Sequence, residues 1–317
     1  MLMLSIKKAE RIPIKQKRAI RRVYQSRYLL LLFLPVLVYY IIFEYAPMFG
    51  LVVAFKNLNM FKGFWASEWV GLKYFRIFLF ENPDFLPLLR NTFLLGFYSL
   101  IFGFPAPILL ALMLNEIKSV KFKRLTQTIS YLPHFISNVI VCSMIIMFLS
   151  PDNGLVNNIL ENMGLEKIYF MGRPEYFRTI YIVSGIWKGI GWGSIIYLAA
   201  ITNIDPNLYE AAEIDGAGRW RKMWHITIVG IMPIIVILLI LDIGGLLSTG
   251  FEKVILLYNP AIYSTADIIS TYTYRVGIQQ ANFSYATAIG LFNGIVGFTL
   301  ISIANYTSRR LMETSLW

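Results

Sequence analysis

Asp205-Pro206-Asn207-Leu208-Tyr209-Glu210-Ala211-Ala212-Glu213-Ile214-Asp215-Gly216-Ala217-Gly218, continuing Arg219-Trp220-Arg221-Lys222-Met223-Trp224-His225-Ile226, is a polar island between two long apolar runs. Asp205 followed by Pro206 is a helix start: a carboxylate to cap free N–H groups, then a residue with φ pre-set for the first turn. Leu208, Ala211, Ala212 and, less regularly, Ile214 follow at helical spacing. Gly216 is the expected left-handed residue that stops the helix. Arg219 to His225 then resumes with Trp220, Met223 and Trp224 on one side and Arg221, Lys222 and His225 on another, a pattern that suits a helix in the membrane interface. The expectation is a short helix, a glycine break and an interfacial helix that feeds the next apolar run. Such a knuckle suits docking into another protein's groove.

The chain around it belongs in a bilayer. Of 317 residues 57% are apolar and 15% charged, and the mean hydropathy is +0.60. Several stretches reach the length that spans hydrocarbon. The formal net charge of +11 raises nucleic acid as a partner, but its location argues against that. Lys7, Lys8, Arg11, Lys15, Lys17, Arg18, Arg21, Arg22 and Arg27 all precede the first apolar run, where basic residues set orientation and touch anionic lipid. Cys142 stands alone within an apolar run, so no intramolecular disulfide is available, and one thiol makes no metal site. The first apolar run is too long for a signal peptide, and no small-residue cleavage site follows it.

In order, the expected spans are Tyr28 to about Phe55, Leu89 to Asn115, Pro133 to Leu149, Thr179 to Ile201, Ile226 to Leu247 and Tyr285 to Tyr306. Residues 56–88 read as an aromatic-rich connection, and residues 116–130 as a short basic loop with Lys118, Lys121, Lys123 and Arg124. Residues 151–178 hold a short amphipathic helix at Val156 to Met163, and residues 248–284 hold Tyr-rich turns around Tyr258-Asn259-Pro260 and Tyr272 to Tyr274. Six spans put both termini on one side. Placing the tail, residues 116–130 and 202–225 and the C-terminus in the cytoplasm collects most of the Lys and Arg there, as the charge rule demands. The division is a basic cytoplasmic tail over 1–27, a membrane domain over 28–310 with the loop 205–225, and a cytoplasmic tail over 311–317. This is an all-α integral membrane protein, multi-pass in the plasma membrane.

Glu-Ala-Ala, three residues, Gly, nine residues, Ile resembles the cytoplasmic coupling motif of permease subunits of bacterial ATP-binding-cassette importers. Glu210, Ala211, Ala212, Gly216 and Ile226 match it position by position, and Asp215 and Arg219 fall within the same loop. The family pattern continues Ile-x-Leu-Pro where this chain has Ile226-Thr227-Ile228-Val229, so the bend is expected at Pro233 instead. The resemblance implies a type I importer permease fold, with this loop seated in a cleft of an ATPase subunit. Further stretches, Tyr45-Ala46-Pro47-Met48-Phe49-Gly50-Leu51, Leu89-Arg90-Asn91-Thr92, Phe102-Gly103-Phe104-Pro105-Ala106-Pro107, Ser130-Tyr131-Leu132-Pro133-His134-Phe135 and Gly290-Leu291-Phe292-Asn293, resemble the carbohydrate branch. That branch handles oligosaccharides and polysaccharide fragments in Gram-positive bacteria. The partners so implied are a second related permease, two ATPase subunits carrying ATP and Mg, an extracellular solute-binding lipoprotein and a carbohydrate. No cofactor is expected in this chain.

No Walker-type Gly-rich loop ending in Gly-Lys-Ser/Thr is present, so the ATPase must be another polypeptide. Neither histidine, His134 or His225, sits in a His-Glu-x-x-His pattern, and no paired carboxylates or nucleophile elbow support an enzyme. For the substrate pathway the candidates are Trp187, Trp192, Asp242 and Asn293. Trp187, Trp192 and Tyr197 are five residues apart, so they fan around a helix and cannot all face one cavity. Asp242 and Lys188 are ionisable and deep enough to be costly facing lipid. Gly185, Gly189 and Gly193, and Gly290, Gly294 and Gly297, make small-residue stripes that let helices approach. A non-sugar solute remains an alternative cargo. An ATP-independent transporter is a further alternative, though one with no use for the knuckle.

Overall fold

The computed structural model describes residues 26–247 and 250–312, so most of the basic tail and residues 313–317 lie outside the described residues. Helix α1 (Arg27–Phe55) contains Pro35 and a π turn at Ile41–Tyr45. At 1.5 Å per residue it is about 43 Å long, more than the ~30 Å of a hydrocarbon core. Its apolar side chains are exposed, Leu32 by 74%, as a lipid-facing helix requires. Up to Val53 it forms a unit by itself.

From Ala54 onward the chain makes a second unit. The aromatic-rich connection opens with a small antiparallel pair, β1 (Lys56–Asn57) and β2 (Glu68–Trp69), with Lys56 opposite Trp69. Helix α2 (Phe85–Glu116) follows. Pro105 brings no N–H to the ladder, and the residue before it, Phe104, donates to Ser99 O at 3.2 Å, five residues back. The π turn Ser99–Gly103 thus absorbs the proline without ending the helix.

The third span is broken. Residues 116–130, expected as a loop, form most of a helix, α3 (Val120–Phe135), whose Ser119 hydroxyl accepts from Phe122 N at 3.4 Å. Phe122, Leu125 and Ile129 are exposed along one side, while Lys121 and Arg124 lie on another, the pattern of an interfacial helix. Pro133 falls in its last, 3₁₀ turn, Ile136 and Ser137 are extended, and the Ser137 hydroxyl caps a new helix by accepting from Ile140 N. That helix, α4 (Asn138–Phe148), leaves α3 at 97°. It is about 16 Å long, half the hydrocarbon thickness. The expected continuous span Pro133–Leu149 is corrected accordingly: two extended residues and a serine cap outweigh the apolar run.

After α5 (Leu155–Asn162) stand α6 (Pro174–Thr202), α7 (Pro206–Ile214) and α8 (Arg219–Gly245). Then come α9 (Phe251–Leu257), α10 (Ile269–Tyr274) and α11 (Phe283–Met312). Tyr272 to Tyr274, expected as a turn, are helical. Helix α8 passes Pro233 without a break; its irregularity is a π turn at Met223–Thr227. Counting the bent pair α3–α4 as one, up to six helices among the described residues are long and apolar enough to cross a membrane.

Among the described residues, three buried clusters hold the second unit. One joins α2, α4, α6 and α9 through Leu95, Cys142, Phe177, Tyr181 and Val254. A second joins residues 74–89 to α10 and α11 through Phe78, Leu88, Ile269 and Ile289. The third joins α2, α6 and α8 through Ala111, Leu114, Tyr197, Ile201 and Ile231. The glycine stripes work only in part. A methyl on Gly191 would lie 2.0 Å from Ser130 O and one on Gly193 2.9 Å from Pro107, so α2 and α3 pack against α6 there, while Gly189 meets nothing within 4 Å. In α11 only Gly297 is close-packed, 3.3 Å from Gly244 O; Gly290 and Gly294 meet nothing.

Candidate functional site

Helix α7 is built as its sequence demands. Asp205 Oδ1 accepts from Asn207 N at 2.9 Å. At the other end Ala217 N donates to Ala212 O at 2.8 Å and Gly216 N to Glu213 O at 3.1 Å, with Gly216 at φ +73°. This pair of bonds closes a helix on a left-handed residue. Two contacts fasten α7 to α8: the Tyr209 and Thr227 hydroxyls are 2.9 Å apart, and Lys222 Nζ is 3.5 Å from Glu213 Oε1. Gly230 lets Ile204 approach, since a methyl there would lie 2.6 Å from its side chain.

What remains faces out. Leu208, Glu210, Ala211, Asp215, Gly216 and Arg219 are exposed, Ile214 by 88%, and only Tyr209, Ala212 and Ala217 are half-buried. A short rigid helix thus presents apolar tips and a carboxylate around a small alanine. Trp220 and Trp224 are exposed on the first turns of α8. His225 Nδ1 is 3.0 Å from Arg221 O, one turn back.

The four pathway candidates are not brought together. Trp187 borders an apolar cavity of about 480 Å³ with Met144, Phe148 and Val183, which offers nothing to a hydroxylated solute. Trp192 lies flat on His134, ring centroids 4.5 Å apart, and edge-on to Phe135, so it braces the α3–α4 elbow. Asp242 is exposed on α8. Asn293 borders a cavity of about 460 Å³ with Ser270, Thr273, Tyr274 and Thr287. Its Nδ2 donates to Leu247 O at 3.3 Å and its Oδ1 is buried without a partner.

Sequence reasoning misses two polar networks. Lys188 of α6 donates to Asn138 Oδ1, and Asn138 Nδ2 donates to Glu252 Oε2 at 2.5 Å, joining α6, α4 and α9. At the opposite end of α6 from α7, buried Asn91 donates to Ser264 O and Asp267 O, both at 3.1 Å, and accepts from Arg178 Nη2 at 2.9 Å. Asp267 in turn takes both Arg275 amino groups, at 3.2 and 2.5 Å. That hydrogen bond pushes the Arg275 pKa up against the opposing effect of burial. Arg90-Asn91 is visible as a polar pair opening an apolar run, but its partners are some 90 and 175 residues away in sequence.

Comparison with known proteins bears on the whole chain. Residues 103–313 match the family described as binding-protein-dependent transport system inner membrane component. The polygalacturonan/rhamnogalacturonan transport system permease protein YteP of Bacillus subtilis is 48% identical over 96% of this chain and 94% of its own. Protein LplB of the same organism is 46% identical over 92% of each chain. Among solved structures, a bacterial ABC transporter involved in import of the acidic polysaccharide alginate has a chain that is 46% identical. It superposes with a TM-score of 0.86 over 93% of this chain and 99% of that one.

Proposed function

Because this chain belongs to the family of binding-protein-dependent transport system inner membrane components, we propose that it is the membrane-spanning subunit of an ATP-driven importer of acidic oligosaccharides. The observation that carries the coupling part is α7: capped at both ends, fastened to α8, and exposed at Leu208, Glu210, Ala211 and Ile214. Glu210 pairs with a basic groove of an ATPase subunit, Ala211 permits close approach, and Leu208 and Ile214 are buried on docking. ATP and its magnesium ion are held by two such subunits. A second, related permease completes the pathway, and an extracellular binding lipoprotein delivers the sugar. The termini and α7 face the cytoplasm. The cargo reading is supported by the 48% identical relative named for polygalacturonan and rhamnogalacturonan and by the 46% identical chain from an alginate importer.

The test is reconstitution of this chain with its partner permease, ATPase subunits and binding protein in proteoliposomes. The expected result is ATP-dependent uptake of short uronate oligosaccharides. Uptake by this chain without the ATPase subunits would overturn the reading, and so would a complete complex that moves only non-sugar solutes.

A further inference from the structure

Helix α3 carries its charge at one end. Lys118, Lys121, Lys123 and Arg124 stand close together, and from Leu125 to Pro151 no Lys, Arg, Asp or Glu follows. Ile117, just before the helix, packs against the cluster of Ala111, Leu114, Tyr197 and Ile201, at the end of α6 that leads into α7. Ser130 O, in contrast, lies against Gly191, which is about 15 Å back along α6 from Ile201. So α3 descends beside α6, with its cations at the α7 end and its uncharged part further along. That is the order in which a bilayer offers headgroups and then hydrocarbon.

The helix also has three sides. Thr126, Gln127 and Ser130 are half-buried, whereas Phe122, Leu125, Ile129 and Leu132 are exposed, Ile129 by 63%. Lys121, Arg124 and Thr128, all exposed, make a third strip beside the apolar one. The side chains of Lys118, Lys121, Lys123 and Arg124 enter no ion pair or hydrogen bond among the described residues. The helices packed on α3 do not balance them. Helix α2 brings Glu116, the one carboxylate between Asp84 and Asp152, and α6 has no charged residue from Gly189 to Thr202. A strip of cations that adjoins exposed apolar side chains matches a phosphate above an acyl chain, and a guanidinium meets phosphate oxygens with forked donors. A protein surface docked from the water would cover the cations and leave the apolar strip bare.

We propose that this end of α3 is a binding surface for anionic phospholipid, with Lys121 and Arg124 holding the phosphate and Leu125, Ile129 and Leu132 lying against the acyl chains. Lipid bound there anchors the start of the α3–α4 elbow at headgroup level. The other end of α3 is already fixed to α6, by Ser130 against Gly191 and by His134 stacked on Trp192. The inference is independent of the cargo and requires only that the chain sit in a bilayer.

The experiment places the complete complex in phosphatidylcholine nanodiscs, with Cys142→Ala and a fluorophore on Thr128→Cys, one turn beyond Arg124. Quenching by phosphatidylglycerol and by phosphatidylcholine, each nitroxide-labelled near the top of one acyl chain, is compared at equal mole fraction. The anionic probe is expected to be about fivefold enriched beside the helix, the equivalent of one cation near a charged surface. Lys121→Gln combined with Arg124→Gln should bring the two probes level, with subunit stoichiometry unchanged. Lys121→Arg combined with Arg124→Lys should keep the enrichment. Equal quenching by both probes in the parent complex would overturn the proposal. So would an enrichment that the double Gln variant leaves intact, which would place the anionic lipid on the basic tail. Enrichment that appears only when the ATPase subunits are left out would also overturn it, and would assign the strip to an acidic surface of those subunits.

Discussion

The hydroxyls of Tyr209 and Thr227, 2.9 Å apart, join the exposed α7 to a buried position on membrane helix α8. Thr227 is 2% exposed and Tyr209 half-buried, so water has little access to the Thr227 end of the bond. Tyr209→Phe removes this tie and little else. A cost of about 1 kcal/mol is expected, with subunit stoichiometry unchanged and uptake falling relative to ATP hydrolysis. Uptake and hydrolysis measured on one reconstituted sample check the ratio; an unchanged ratio argues against α7 as a stiff connection.

Gly216 has φ +73°, and a methyl added there meets nothing within 4 Å. Any penalty for Gly216→Ala is therefore backbone strain, about 1–2 kcal/mol. Gly216→Asn tolerates the left-handed conformation, so it should keep most of the coupled uptake that Ala loses. On the proposed coupling role, Gly216→Pro and Glu210→Ala should leave the chain inserted and paired but reduce substrate-stimulated ATPase activity. Normal transport by both would exclude α7 as the coupling element.

Asn91 is 1% exposed and fills three hydrogen bonds. Asn91→Leu keeps the volume and strips partners from Ser264 O, Asp267 O and Arg178. A loss of about 3 kcal/mol is expected, read as a lowered Tm of the detergent-solubilised complex. Asn91→Asp retains the acceptor for Arg178 and should lose less.

Arg275→Gln leaves Asp267, with its side chain 9% exposed, buried and without its cation. Breaking such a pair costs about 3 kcal/mol or more. Because the guanidinium stays charged well above neutrality, and Asp267 pushes its pKa higher still, the unmodified pair should show no loss from Arg275 between pH 5 and 9. Thermal unfolding of the complex across that range is the measurement.

Orientation is checked by impermeant thiol labelling of intact cells, with buried Cys142 replaced by alanine. Cysteines at Asn57, Asn153 and Asn259 should label, and those at Lys121 and Ala217 should not. Labelling at Ala217 would reverse the topology and separate α7 from any cytoplasmic ATPase.

Local signals make α7 legible in the sequence. Asp205, Pro206 and Gly216 each act on their own backbone, so expectation and fold coincide there. The long spans are legible too, because apolar length needs no partner to be recognised. The α3–α4 elbow is not, since Pro133 and Ser137 fit equally well within a straight, proline-kinked span. Glycine spacing misleads at Gly189, Gly290 and Gly294, because a stripe says that a helix can be approached and not that it is. The networks at Asn91 and Asn138 depend on groups far apart in sequence, and periodicity carries no trace of such pairings.

The 29 residues of α6 make a rod about 43 Å long, with α7 beyond one end and Arg178 near the other. A tilt of about 5° pivoting at one end carries the other end about 4 Å, more than the length of a hydrogen bond. A small angular change at the α7 end would therefore be enough to part Arg178 from Asn91, and α6 would then serve as a lever arm along its length.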